Sequence, residues 1–406
     1  MSYRELLQGY EGESSQLDDI AEAIEYHLSV GDFTTASNVL CQLVALDNYN
    51  AVEWTKLGHC YLLLERLDES FQAYTNAHSV LKDSAPAQLW YGLGLLCFKC
   101  RLFDMAERYL EAALKADPKF EYTSHIYLKL GIINKRSKQY LKAITYLRNC
   151  LNAKDLGLEK TVETLCQIAN CLEVSRKIYA IELYQVARSL KADVKTTACL
   201  GWGFFVNKDF DKAISTFNEA LKLAENPDSK PYCDIIYLKA RCLMETKSFH
   251  RALSLLTSIT CKYPQEPIYK MSLSVVYVEL EQCQNALSCL YSCLTLRYDE
   301  TEVYINLGIV NELMFIREDA MTWYQKVIDK DPNNNIAAHR LKLLSKHKNK
   351  PRNIPEPLQP NIDITEFPFR NVEWTYQQTV YPQNWLKSNI IQETSILGIA
   401  DNVYTK

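Results

Sequence analysis

Apolar and polar positions follow a helical period along this chain, and a longer period is laid over it. A large residue is followed, after two variable ones, by a large–small pair: Trp54-x-x-Leu57-Gly58-x-x-Tyr61, Trp90-x-x-Leu93-Gly94, Tyr127-x-x-Leu130-Gly131 and Tyr304-x-x-Leu307-Gly308. Twelve residues after each small residue stands another: Ser70, Ala106, Ala143 and Ala320. Residues three and four apart share one face of a helix, so each block predicts an amphipathic helix. The second small residue predicts a partner helix packed closely behind the first. No such pair can bury its apolar face alone, so neighbouring pairs must stack.

Nine units can be placed, at about 17–50, 51–84, 87–120, 124–157, 162–193, 194–227, 233–266, 267–300 and 301–334. Their spacing of about 34 residues and their small and large positions are those of the tetratricopeptide (TPR) repeat. Small residues at repeat positions 8, 20 and 27 bring helices together, and large residues at positions 4, 7, 11 and 24 fill the space between them. The fifth unit is one residue short and uses Ala169, Ala180, Tyr184 and Ala187. Asp117-Pro118 and Asp331-Pro332 end their units because proline stops the preceding helix. Residues 335–347 read as an amphipathic helix that caps the last unit. The fold class expected is therefore all-α, a right-handed TPR superhelix with a C-terminal capping helix and a non-repeat tail. Residues 1–16 are read as a polar N-terminal segment and 348–360 as a basic, proline-rich linker. Residues 361–406 are an aromatic tail, too rich in Phe, Trp and Tyr for a solvated one, and are expected to dock on the array or on a partner.

Composition narrows the function. A net charge of −4 supplies no positive field for nucleic acid. No long apolar run predicts a membrane span, and the N-terminus lacks the basic-then-apolar form of a secretory signal. The fourteen cysteines fall at helical core positions such as Cys97, Cys150 and Cys293, which reads as reduced thiols serving as small apolar residues. Cys97-x-x-Cys100 has no second pair at zinc spacing. Phosphate-loop, dinucleotide, zincin and nucleophile-elbow motifs are all missing, and His59, expected to face the groove, has no identifiable nucleophile or orienting acid nearby. A non-catalytic protein without cofactor or metal is expected.

Repeat geometry supplies the candidate site. First-helix positions 2, 5, 9 and 12 line the inner face of a TPR array. In units two to four they include Thr55, His59, Leu62, Tyr91, Leu95, Phe98, Leu128, Ile132 and Lys135. This apolar stripe suits an amphipathic helix from a partner. It lacks the Lys and Asn of the carboxylate clamp that grips chaperone tails. It also lacks the position-6 asparagine ladder of the O-GlcNAc transferase array, because that position holds Lys56, Gly92, Lys129 and Ser272 and only Asn306 matches. Lys346, Lys348, Lys350 and Arg352, with Lys342, form a basic cluster that reads as a nuclear import signal.

Three stretches are more specific than the repeat consensus: Trp54-Thr55-Lys56-Leu57-Gly58-His59-Cys60-Tyr61-Leu62-Leu63-Leu64, Leu89-Trp90-Tyr91-Gly92-Leu93-Gly94-Leu95-Leu96, and Ile126-Tyr127-Leu128-Lys129-Leu130-Gly131-Ile132-Ile133. With Ala116-Asp117-Pro118-Lys119-Phe120-Glu121 they closely resemble the TPR subunit of the fungal general transcriptional corepressor, to which the TPR region of UTX-type histone demethylases is related. The resemblance covers about 17–347 and is strongest in 51–150. It implies a nuclear adaptor that binds the N-terminal helices of a WD-repeat corepressor through its first repeats, contacts sequence-specific DNA-binding repressors through others, and works through histone deacetylases and Mediator without touching DNA. Nine repeats stand here against ten in that family. The alternative is a scaffold of another assembly, of the anaphase-promoting or RNA-processing kind.

Overall fold

The computed structural model describes residues 14–81, 84–154, 156–296, 298, 301–346, 354–360 and 362–365, with side chains described from residue 20 of the first helix onward. Among the described residues there are nineteen α-helices and no strand, arranged in consecutive pairs. The class is all-α TPR, as the period predicts. The pairs fall into two compact units.

The first unit holds α1 (Ser14–Val30) with α2 (Phe33–Leu46), α3 (Ala51–Leu63) with α4 (Leu67–Leu81), α5 (Ala87–Lys99) with α6 (Phe103–Ala116), and α7 (Thr123–Arg136) with α8 (Tyr140–Leu151). The second holds α9 (Leu158–Leu172) with α10 (Lys177–Leu190), α11 (Val194–Val206) with α12 (Phe210–Leu223), and α13 (Lys230–Glu245) with α14 (Phe249–Lys262). It continues with α15 (Pro267–Glu279) and α16 (Cys283–Thr295), α17 (Thr301–Leu313) and α18 (Arg317–Lys330), and the cap α19 (Asn335–Lys346).

One turn is reused almost throughout. The fifteenth repeat residue takes a left-handed conformation at Gly31, Glu65, Arg101, Lys138, Lys208, Lys247, Glu281 and Phe315, with φ between 58° and 81°. The next backbone N–H then reaches the carbonyl five residues back: Arg66 to Tyr61, Leu102 to Cys97 and Gln139 to Asn134, each at 2.9 Å. This closure satisfies carbonyls that a helix end leaves bare. Helix starts use side chains instead. Asp32 accepts from the Thr35 N–H at 3.1 Å, Asn50 from that of Glu53 at 3.3 Å, and Asp193 forms a reciprocal box with Thr196.

The fifth pair departs from this scheme. Its turn, residues 173–176, contains no left-handed residue, and α9 starts at Leu158 rather than near 162. Gly157 holds extended backbone there and begins the helix early. The small and large positions assigned to this pair hold nonetheless, since Ala169, Ala180, Tyr184 and Ala187 are all buried.

The small-residue rule is a matter of ring clearance. Tyr74 of α4 is fully buried and wedged between the first helices of two successive pairs. A Cβ on Gly58 would lie 2.6 Å from its ring, and one on Gly92 would lie 2.6 Å from its Cζ and hydroxyl. The Ser70 hydroxyl donates to the Gly58 carbonyl at 2.8 Å, joining α4 to α3 where both carry small residues. Gly308 makes the same room for Tyr324, and Gly201 for Phe217.

Two features close the second unit. The Arg340 guanidinium of α19 pairs with the Glu312 carboxylate of α17, its Nε donating at 2.9 Å, and both residues are buried. The Tyr324 hydroxyl of α18 donates to the same carboxylate at 2.7 Å. The second feature spans the end of the stretch read as a linker and the start of the aromatic tail: residues 354–360 and 362–365 lie against α11, α13, α15 and α17 and join their apolar cores.

Candidate functional site

In the first unit the predicted stripe is mostly packed. Thr55, Leu62, Tyr91, Leu128, Ile132 and Lys135 are buried, and His59, Leu95 and Phe98 are half-buried. The Thr55 hydroxyl donates to the Ala51 carbonyl at 2.8 Å. His59 Nδ1 lies 2.9 Å from the Thr55 carbonyl oxygen and 2.9 Å from the Tyr74 hydroxyl. Desolvation holds this imidazole below its ordinary pKa, so it is neutral at pH 7. Tyr91 stacks on Tyr122 with centroids 5.5 Å apart, and its hydroxyl lies 2.6 Å from His125 Nδ1. The Lys129 ammonium sits 4.7 Å from the Phe98 ring centroid. Leu62, Tyr91, Leu95 and Phe98 are brought into one apolar cluster, whereas Leu128 and Ile132 lie outside it. Lys346 ends α19 without a described side chain, and Lys348, Lys350 and Arg352 lie outside the described residues, as does the tail beyond Thr365.

The second unit presents an inner face that is occupied. The side-chain amide of Asn306, on α17, grips one residue of the chain's own C-terminal segment at both ends. Its Nδ2 donates to the Leu358 carbonyl at 2.8 Å and its Oδ1 accepts the Leu358 N–H at 2.7 Å. The Ser272 hydroxyl of α15 donates to Gln359 Oε1 at 3.0 Å. Arg241 of α13 donates from Nη1 to the Pro360 carbonyl at 3.2 Å and to the Tyr237 hydroxyl at 3.3 Å. The Cys199 thiol of α11 approaches the Ile364 carbonyl at 3.9 Å. Ile364 itself is fully buried in the core of the unit. The segment thus runs back along the array, from the last pair towards the sixth.

Sequence reasoning placed its site in the first unit and missed this one. Cys199, Ser272 and Asn306 all stand at repeat position 6, and Arg241 at position 9. The one signal available was Asn306, the lone match to an asparagine ladder.

Two buried carboxyls stand nearby. Glu173 accepts from Tyr184 at 2.6 Å, Trp202 at 3.2 Å and Asn170 at 3.3 Å. Burial, with Asp363 close by, still pushes its pKa up to about 7. Burial likewise raises that of Asp234 to about 7, against its pairing with Lys230 and Tyr269. Each carboxyl ties helices together through these hydrogen bonds. All fourteen cysteines are free thiols. Burial pushes Cys100 up to about 11 and Cys97 higher still, which leaves the C-x-x-C pair protonated at neutral pH. Among the described residues no His, Cys, Asp and Glu cluster could hold a metal ion. No described helix is long and apolar enough to cross a membrane.

Comparison with known proteins adds three kinds of likeness. A TPR model matches residues 87–120, and the model described as ChAPs (Chs5p-Arf1p-binding proteins) matches residues 152–335. The chain is 34% identical over 94 residues to the general transcriptional corepressor trfA of Dictyostelium discoideum, 23% of this chain. It is 39% identical over 74 residues to the general transcriptional corepressor ssn6 of Schizosaccharomyces pombe, 18% of this chain. Each match spans 7% of the relative's length. Among solved structures, a tetratricopeptide repeat protein from Parabacteroides merdae superposes with a TM-score of 0.51 at 15% identity, covering 64% of this chain and 99% of that one. The chain is therefore a TPR protein with local similarity to the TPR regions of general transcriptional corepressors.

Proposed function

We propose that this protein is a non-catalytic TPR adaptor of a general transcriptional corepressor complex. In this role it acts in the nucleus and bridges DNA-bound repressors to a WD-repeat corepressor and, through it, to histone deacetylases and Mediator. The observation that carries the reading is local identity to two corepressors, 34% and 39%. The partner face is the first-unit stripe, where Leu95 and Phe98 are the apolar residues left half-exposed beside the buried Leu62 and Tyr91. An amphipathic helix laid across them would bury its own apolar face.

The test is a pull-down of the full chain with the N-terminal helical region of a WD-repeat corepressor from the same organism. Leu95→Glu and Phe98→Glu each place a charge at the centre of the stripe. Capture by the native chain, with at least a tenfold loss in either variant at unchanged helical circular dichroism, is expected for an anchor residue of such an interface. Unchanged affinity in both variants would remove the stripe as the partner face, and no capture by the native chain at micromolar concentration would remove the corepressor role.

A second reading rests on the family model over residues 152–335. It makes the second unit a binder of proteins like Chs5p and Arf1p. Nucleotide-loaded Arf-type GTPase in a parallel pull-down separates the two, because only this reading expects its retention.

A further inference from the structure

We propose that the inner face of the last four helix pairs is a peptide-binding groove for an extended, proline-containing apolar segment of a partner, and that the chain's own residues 354–360 and 362–365 occupy it as a displaceable stand-in. The proposal is independent of the corepressor reading and rests on the second unit alone.

The segment reads Ile-Pro-Glu-Pro-Leu-Gln-Pro-Asn-Ile-Asp-Ile-Thr. An extended chain laid in a helical groove has no strand beside it to take its N–H groups, and an unpaired buried N–H is costly. Three prolines remove three of those donors. The N–H of Leu358, between them, is the one that Asn306 accepts while donating to the same residue's carbonyl. That two-ended grip recognises any residue's peptide group and is blind to its side chain. Arg241 reads a second carbonyl and Cys199 a third. Side-chain selection comes from the apolar seats: Ile364 is fully buried, and Leu358 and Ile354 pack against the cluster of α17 to α19. The groove therefore reads backbone at spaced points and apolar side chains between them, which describes a class of ligand rather than one sequence.

Two observations argue for exchange over permanent closure. First, the groove's polar groups are ligand-directed. Asn306 is buried, and both of its amide bonds outside the helix run to Leu358, so an emptied groove leaves that amide bare. Arg241 is also buried, and its Nε has no hydrogen-bond partner, a spare donor on the face that meets the segment. Second, the segment's described hydrogen bonds to the array come from neutral groups, save for the Arg241 guanidinium, which meets a neutral carbonyl, and Asp363 lies close enough to the buried carboxyl of Glu173 to raise its pKa. It lies on the same chain, separated from α19 by seven residues in sequence, and a segment so close competes at an effective concentration on the order of millimolar. A partner peptide with micromolar intrinsic affinity competes successfully only when it is abundant or is held nearby by other contacts.

The experiment uses the full chain and a fluorescein-labelled peptide with the sequence of residues 354–365. Ile364→Asp loosens the internal segment by placing a charge in its buried seat, and Leu358→Ala loosens it more gently if the first variant loses helicity. Fluorescence anisotropy is expected to show the probe binding at least about tenfold tighter to the loosened chain than to the native one. Adding Asn306→Ala to the loosened chain is expected to weaken it again by about tenfold, the loss of a two-ended hydrogen bond. Helicity and melting temperature of the loosened chain, measured alongside, show that the array is intact. Probe affinity equal in native and loosened chains, or binding indifferent to Asn306→Ala, would overturn the proposal. So would probe binding by a dimeric species alone in sedimentation, which would assign the groove to a second copy of the chain.

Discussion

Tyr74 shows how much of this architecture is decided by single side chains. Its ring fills the space between two first helices only because Gly58 and Gly92 stand on either side. Two effects oppose each other at Gly92. Alanine is the better helix former by about 1 kcal/mol, but its Cβ would meet Tyr74 at 2.6 Å, and forcing extra volume into a packed core costs about 1–3 kcal/mol. The ring cannot swing away, since Gly58 holds its other side and the residue is fully buried. Gly92→Ala is therefore expected to lower stability by about 1–2 kcal/mol, read as a lower urea midpoint at unchanged slope. A stabilised variant would show that the helix term wins and that the glycine is not there for clearance. The left-handed turn residues carry the opposite lesson. Lys138 at φ 60° has no glycine's freedom, and the repeat tolerates that cost of about 1 kcal/mol because the turn's hydrogen bonds repay it.

At the scale of the element, the junction of α9, α10 and α11 is built on one carboxyl. Glu173 joins them through Asn170, Tyr184 and Trp202 in place of the usual left-handed turn. Its pKa is raised from 4.5 to about 7, a difference equivalent to about 3 kcal/mol. The folded state thus holds a proton that the unfolded chain releases near pH 4.5. The stability this contributes is present in full below that pH and is lost as pH rises to about 7. Unfolding at pH 5 and pH 8 should show the native chain losing more stability over that range than Glu173→Gln, whose amide keeps the shape without titrating. Equal losses would mean that the carboxyl is solvated. The same junction marks where the sequence was legible. Ala169, Ala180, Tyr184 and Ala187 could be read because packing positions recur with the repeat, whereas the early start at Leu158 could not, because Gly157 before it carries no capping side chain to mark a helix start. Segment 354–365 was opaque for a stronger reason. It has no period, and its contacts with Asn306, Arg241 and Cys199 span 52 to 165 residues of chain. Three of its partners, Cys199, Ser272 and Asn306, sit at position 6, a register that the pattern of large and small residues does not constrain, and only Arg241 sits at position 9. In the first unit, by contrast, repeat geometry offered positions for an inner face but gave no measure of how deeply neighbouring side chains bury Thr55, Leu62, Tyr91, Leu128, Ile132 and Lys135.

At the scale of the whole molecule, stability should pass from neighbour to neighbour inside each unit, since each helix pair there packs chiefly on the next. The cap is where this can be tested. Arg340, Glu312 and Tyr324 lock α19 to the last pair, and the arginine and the glutamate are both nearly free of solvent. Replacing a buried ion pair by apolar residues can be neutral, but deleting one partner strands the other's charge at a cost of about 3–5 kcal/mol. Arg340→Ala is accordingly expected to detach α19 and bare the flank of α17 and α18. Hydrogen exchange followed by mass spectrometry should then show lost protection in α17 to α19, a smaller loss in α15 and α16, and none in α3 to α8. Because Asn306 lies on α17, the same variant should raise exchange at Leu358, as the segment's backbone grip fails with the helix that carries it. Glu312→Leu combined with Arg340→Leu separates charge from packing: if the double variant restores protection in α17 while Arg340→Ala alone abolishes it, the stranded carboxylate is the cause. Uniform loss of protection through every helix would instead make the chain one cooperative block, and the nearest-neighbour account of the array would fall.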